Sequence, residues 1–145
     1  MAGHRSNRRR GHRIVAHTAD LILEAWGPDF ASCCEEAIDA LVSSFLQARR
    51  AHVLGHASVH LPSGADDALL LGVLEEVIFV LDTDARVPIG AEVEVAGDGG
   101  LDVTLALTDR GSVRVTGASP KAISRSELAV ERGLDGVRCR FLVDV

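Results

Sequence analysis

Near residue 86 the hydrophobic period of this chain changes, and that change limits the folds open to it. Before it, two stretches repeat apolar residues at three- and four-residue spacing: Phe30, Cys34, Ala37, Ile38, Leu41 and Phe45, then Leu69, Leu70, Val73, Leu74, Val77, Ile78 and Leu81. That spacing lines up one face of a helix. It predicts a first helix over 29–47, with Asp29 as N-cap and Ser32-x-x-Glu35 as a capping box one turn later. The second helix starts at Ser63 or Asp66. It is apolar over most of its surface, which marks it as the central buried helix. After residue 86 the period is two. Ala91–Val95 and Leu101–Leu107 flank Gly97-Asp98-Gly99-Gly100, a hairpin signal. Further strands are expected at 112–116, 121–131 and 137–144, the last with Val137, Cys139, Phe141 and Val143 facing one way. Ahead of the first helix lie two half-strands, 12–17 and 21–26, and another strand is expected over 52–61. Helices early and strands in succession late predict an α+β fold: a single domain with a largely antiparallel β-sheet packed with two main α-helices. A length of 145 residues suits one domain with a proper core.

Charge narrows the functional classes. The formal net charge is −6, yet residues 1–13 carry five Arg and no acid, which leaves −11 on residues 14–145. An acidic body is by itself a poor phosphate binder, because nucleic-acid affinity comes largely from basic groups that displace counterions. Residues 1–11 read as a disordered, solubilising Arg-rich arm, with contact to RNA as the other reading; residues 12–145 read as the folded domain. No stretch reaches the roughly 20 apolar residues that span a bilayer, and the N-terminus lacks the apolar core of a secretory signal. Cys33, Cys34 and Cys139 form no metal motif and leave an odd thiol under any pairing, so a reducing cytoplasm is expected.

Several polar groups invite chemistry. His52, His56 and His60 stand four apart, which on a helix would chelate zinc. Gly55, two Val and a following Pro favour strand, where four residues span about 13 Å against zinc–nitrogen bonds of about 2 Å; a solvated strand face is expected. Asp66-Asp67 suits a helix N-terminus, and Asp82-x-Asp84 suits a loop. No glycine-rich phosphate loop or nucleophile elbow occurs. His17-Thr18-Ala19-Asp20 interrupts an otherwise apolar strand, as bulges beside functional sites do. His17 and Asp20 offer an acid–base pair, or a buried His making one hydrogen bond. Asp144 ends the last strand, and Val145 adds a carbonyl. If the first and last strands meet, hard oxygens of Asp20, Asp144 and Val145 converge, a donor set suited to calcium, magnesium or manganese rather than zinc. The alternative has Asp20 in a local turn and Asp144 at a frayed end. Lys121 is the sole lysine beside 14 Arg. It is either a retained compact ammonium, able to move and to bind phosphate, or a coincidence of composition.

At this point the chain resembles the archease family, accessory proteins of the tRNA-splicing RNA ligase. The matching elements are His17-Thr18-Ala19-Asp20 before an apolar strand and Gly27, Glu35-Glu36-Ala37 on the first helix, and Leu74 to Phe79 on the second. Lys121-Ala122-Ile123-Ser124 and the C-terminal Asp144 with a final apolar residue complete the match, which spans 12–145. The resemblance implies a cytoplasmic protein that is not itself an enzyme but activates an RNA ligase, promoting its guanylylation and multiple turnover. It implies a divalent cation at Asp20, Asp144 and the main-chain oxygen of Val145, calcium first, with magnesium or manganese as alternatives. It gives Lys121 a catalytic part at the ligase's nucleotide or metal centre, and implies contact with RNA only through the ligase, with no membrane partner. Arg125 and Ser126 stand where the family usually continues with an aromatic residue and a His. Two rival readings of the residues are a metal-dependent phosphoester hydrolase using Asp20, Asp144 and His17, and a metal-free interaction or chaperone-like module.

Overall fold

In the computed structural model, residues 9–16, 20–48 and 51–145 are described. Residues 1–8 of the expected Arg-rich arm, and His17, Thr18 and Ala19 with the expected role of His17, lie outside the described residues. The chain forms β1 (Gly11–Ala16), β2 (Asp20–Gly27), α1 (Phe30–Ser43), β3 (Leu46–Gln47), β4 (Gly55–Leu61), α2 (Asp66–Thr83), β5 (Arg86–Val95), β6 (Leu101–Asp109), β7 (Arg114–Val115), β8 (Ala122–Gly133) and β9 (Gly136–Asp144). Every strand pairing is antiparallel. The α+β architecture with two helices is the expected one. The strands, however, divide into a four-stranded sheet ordered β1-β2-β9-β8, a three-stranded sheet ordered β4-β6-β5 and the short pair β3-β7.

Helix α1 begins where the chain can cap it. The Asp29 carboxylate accepts the Ser32 N–H at 2.8 Å, and the Asp29 N–H donates to the Ser32 hydroxyl at 3.2 Å. Ser32 is therefore the third residue of the box rather than its cap, a register correction of one turn. Such a cap contributes about 1 kcal/mol. Glu35, released from capping, accepts the backbone N–H of Val93 at 2.9 Å and ties α1 to β5 across the core. The helix stops at Ser43, short of the expected 47, because Leu46–Gln47 pairs with Arg114–Val115 as β3 and β7.

The core is one apolar cluster shared by both helices and the inner faces of both large sheets. Helix α1 packs on β2 and β5, while α2 packs on β8 and β5. The expected stripe of α2 is buried, but α2 is not the more enclosed helix. Ten of the 14 residues of α1 are buried, against nine of the 18 in α2, which keeps Phe79 59% exposed. Small residues explain the reversal: Cys33, Cys34, Ala37 and Ala40 let α1 approach its neighbours closely, and all four are fully buried. The thiols are free, and burial pushes those of Cys34 and Cys139 up, Cys139 chiefly through its hydrogen bond with Cys33. They are packing groups rather than nucleophiles.

In β9, Val137, Cys139, Phe141 and Val143 are buried on the inner face as expected. The β8–β9 turn depends on Gly136, at φ +131; a Cβ there would stand 2.4 Å from the Gly27 carbonyl oxygen. The Ala96–Gly100 hairpin closes with Ala96 N–H donating to the Gly100 carbonyl at 2.9 Å.

A charged cluster at the open side of α1 carries a pH dependence. Glu36 is buried and receives the Arg10 guanidinium and the His12 Nδ1 atom, the latter at 2.9 Å. Asp39, one turn on, has no such partner among the described residues. Burial pushes its carboxyl up to about 6, the charges of Glu36 and Glu35 add to this, and His12 and Arg10 oppose it. A folded-state value above the unfolded one means that the folded chain holds the extra proton between them, so stability falls as pH rises from about 4 to about 6 and stays lower above. Asp39→Asn is expected to stabilise the chain by on the order of 1 kcal/mol at pH 8 and to give no gain at pH 4. Urea unfolding at the two pH values checks this, and equal midpoints for variant and parent at pH 8 would contradict it.

Candidate functional site

The antiparallel register of β2 and β9 sets Asp20 directly opposite Asp144. Cβ atoms of such a pair stand about 4.5–5.5 Å apart. By the alternation of strands, both project with Ile22, Glu24, Leu142 and Arg140 to the face of the four-stranded sheet away from the buried residues Leu23, Phe141 and Val143. On its other side, Asp144 faces Ala122 of β8, and the Lys121 N–H donates to the Asp144 carbonyl at 2.8 Å. Val145 follows, half-buried against the core. One end of the sheet thus gathers Asp20 with Lys121, Asp144 and Val145, which follow it by more than a hundred residues in sequence.

The lysine side chain does not join the carboxylates on their face. Lys121 lines a groove of about 250 Å³ on the helical side, with Glu75, Ile78, Phe79 and Asp82 of α2 and with Ala122 and Ile123. The two kinds of charge therefore flank the sheet's end from opposite sides. Sequence reasoning placed neither Phe79 nor the two acids in the site. The available signal was that Phe79 falls off the buried stripe of α2 while Glu75 and Asp82 share its side.

The donor set can be tested against a cation on its chemistry. Among the described residues no group of three or more His, Cys, Asp and Glu side chains gathers as a metal cage. Asp20 and Asp144 provide two carboxylates, and main-chain oxygen and water must complete any shell. That composition suits a hard cation with six to eight flexible oxygen ligands and excludes a closed zinc site. Like charges directly opposite on a strand pair are destabilising, and among the described residues neither carboxylate makes an ion pair. A bound cation would relieve that repulsion.

The remaining candidates have structural parts. Asp66 holds Arg132 through two hydrogen bonds of 2.7 and 3.0 Å, which lower its carboxyl below the usual range. Asp67 accepts the Ala68 N–H, and Asp84 accepts that of Arg86. His56 and His60 lie on the exposed face of β4 and His52 precedes it. His60 is held at 2.8 Å by Asp102 and by Asp98, which raise its pKa.

Two helices packed against antiparallel sheets, with two acids opposed at a strand end beside a lone lysine, define a small α+β protein. The archease protein family (MTH1598/TM1083) matches residues 12–145, and the chain belongs to that family. It is 44% identical over 135 residues to the probable protein archease of Mycobacterium tuberculosis (strain H37Rv), covering 93% of this chain and 75% of that one. It is 25% identical over 135 residues to the protein archease of Archaeoglobus fulgidus, covering 92% and 98%. Among solved structures it resembles Methanobacterium thermoautotrophicum protein 1598, with a TM-score of 0.74 at 20% identity over 93% of this chain and 99% of that one. It also resembles a Thermotoga maritima archease described as a possible chaperone, with a TM-score of 0.67 at 19% identity over 92% and 96%.

Proposed function

We propose that this chain is an accessory protein of a tRNA-splicing RNA ligase, which it activates by promoting guanylylation and multiple turnover without catalysing ligation itself. The observation that carries this reading is the register of β2 and β9, which opposes Asp20 to Asp144 beside Lys121. Membership of the archease family supports it, and the description of the Thermotoga maritima relative as a possible chaperone agrees with a protein partner. No described helix is long and apolar enough to cross a membrane, and three free, buried thiols fit a reducing cytoplasm.

In this reading Asp20, Asp144 and the main-chain oxygen of Val145 hold a hard divalent cation, calcium first. When bound, it supplies positive charge and a fixed geometry to the sheet's end. Lys121 is exposed, so its ammonium can extend towards anionic oxygens of a partner-bound nucleotide and stabilise charge that develops in nucleotidyl transfer. Phe79, exposed in the same groove, offers an apolar anchor that would hold the partner while Lys121 reaches it. The test is multiple-turnover ligation by purified ligase with and without the chain. The expected result is several rounds of ligation per ligase molecule only in its presence; equal turnover in both would sink the proposal.

A further inference from the structure

A second cleft lies at the opposite end of the four-stranded sheet, around the β8–β9 turn. Its volume is about 690 Å³, within the range of about 300–1,000 Å³ usual for ligand sites. Arg9, Arg132 and Arg138 line it with Trp26, against two acids, Glu131 and Asp135. With Asp66 counted against Arg132, two arginines stand against two acids, so the cleft is locally neutral in a body that is otherwise strongly acidic. Asp66 neutralises Arg132, but among the described residues Arg9 and Arg138 make no ion pair. Glu131 faces Arg138 across the β8–β9 ladder without reaching it.

The arginines are also held in place. Gly11, Trp26, Arg138 and Glu131 form one cross-strand row. The Trp26 ring lies so close over Gly11 that a Cβ there would come within 2.6 Å of it. The Arg138 guanidinium stacks over the same ring at 5.7 Å. Arg132 stacks over Phe30 at 5.3 Å and is forked onto Asp66. Arg10, bonded to Glu35 and Glu36 of α1, ties down the chain next to Arg9. A guanidinium fixed by stacking keeps its edge donors free and loses little entropy on binding a phosphate.

We propose that this cleft is a phosphate-binding site for single-stranded RNA, with Arg9 and Arg138 on backbone phosphates and the stacked Trp26–Arg138 pair as the platform beside which a base lies. Planar stacking surfaces combined with unpaired guanidinium groups are what single strands need. This goes beyond ligase activation, because it gives the chain a direct RNA contact where the family resemblance implies only an indirect one.

Trp26 is the sole tryptophan, so its emission reports on the cleft. The full chain, without any ligase, is titrated with a fluorescein-labelled 12-nucleotide oligouridylate at low salt, following both anisotropy and tryptophan emission. Saturable binding with a change in Trp26 emission is expected. Arg9→Ala and Arg138→Ala should each weaken it roughly ten-fold and flatten the salt dependence by about 0.7 in the log–log slope. Arg114→Ala, on β7, should change neither. No binding, no response of Trp26, or unchanged affinity in the Arg9/Arg138 double variant would overturn the proposal. So would displacement of the RNA by a poly-glutamate peptide or by inorganic pyrophosphate at the same concentration of charge, which would point to an acidic protein or a free phosphate instead. Because the ligase is absent, this outcome is separate from that of the ligation test.

Discussion

The Asp20→Asn/Asp144→Asn double variant is expected to be at least as stable as the parent chain without divalent cation and clearly less stable with it. Without cation, the substitution removes two carboxylates set directly opposite each other, and relief of a like-charge cross-strand pair is worth roughly 0.2–1 kcal/mol. With calcium at about 100 times its dissociation constant, the parent gains about 2.7 kcal/mol by linkage, and a chain without the site gains nothing. The order of the two unfolding midpoints should therefore reverse between chelator and calcium. Thermal unfolding under both conditions, with calorimetric titration of calcium, reads this directly. A parallel calcium response in the two proteins would show that the cation, if bound, sits elsewhere. The reversal matters because a generally damaging substitution would lower stability in both conditions alike.

The second large effect is expected at Lys121. It is exposed and lines the groove beside α2, so Lys121→Ala should leave thermal unfolding unchanged. In the presence of a ligase it should reduce stimulation by on the order of a hundred-fold, the scale found on removing one preorganised donor that stabilises transition-state charge. Lys121→Arg should recover little of this, because a planar fork does not replace a compact ammonium that approaches oxygens from several directions. Full activity of the Arg variant would reduce Lys121 to a general positive charge. Full activity of the Ala variant would remove it from the site.

What could be read in advance follows from how local each feature is. The helix stripes, the Gly97–Gly100 hairpin and the inner face of β9 come from periodicity and turn chemistry within a few residues, and they stand in the structure as expected. The meeting of Asp20 with Asp144 required an inference across the whole chain, prompted by a polar interruption in one strand and a carboxylate at the end of another; the register brings the pair together. Other features depend on tertiary context that one sequence does not carry. The division of the strands into two large sheets, and the end of α1 at Ser43, follow from long-range pairings such as Leu46 with Val115. Asp29 caps α1 as expected, but the box closes with Ser32 rather than running from Ser32 to Glu35, because Glu35 is engaged by the Val93 amide and by Arg10. Phe79 was hidden by the apolar richness of α2, where only its place off the stripe distinguishes it. Arg138 and Trp26 meet through β-sheet neighbours more than a hundred residues apart, and no local motif announces them.

The central claim, that Asp20, Asp144 and Lys121 serve the activation of an RNA ligase, is met most directly by one measurement. Transfer of a radiolabelled guanylyl group from GTP to purified, unguanylylated ligase is followed with no addition, with the parent chain, with Asp20→Asn/Asp144→Asn and with Lys121→Ala. The expected result is that the parent chain accelerates ligase–guanylate formation and both variants leave it near the unassisted rate. Equal acceleration by the parent chain and both variants, or none by the parent chain, would contradict it.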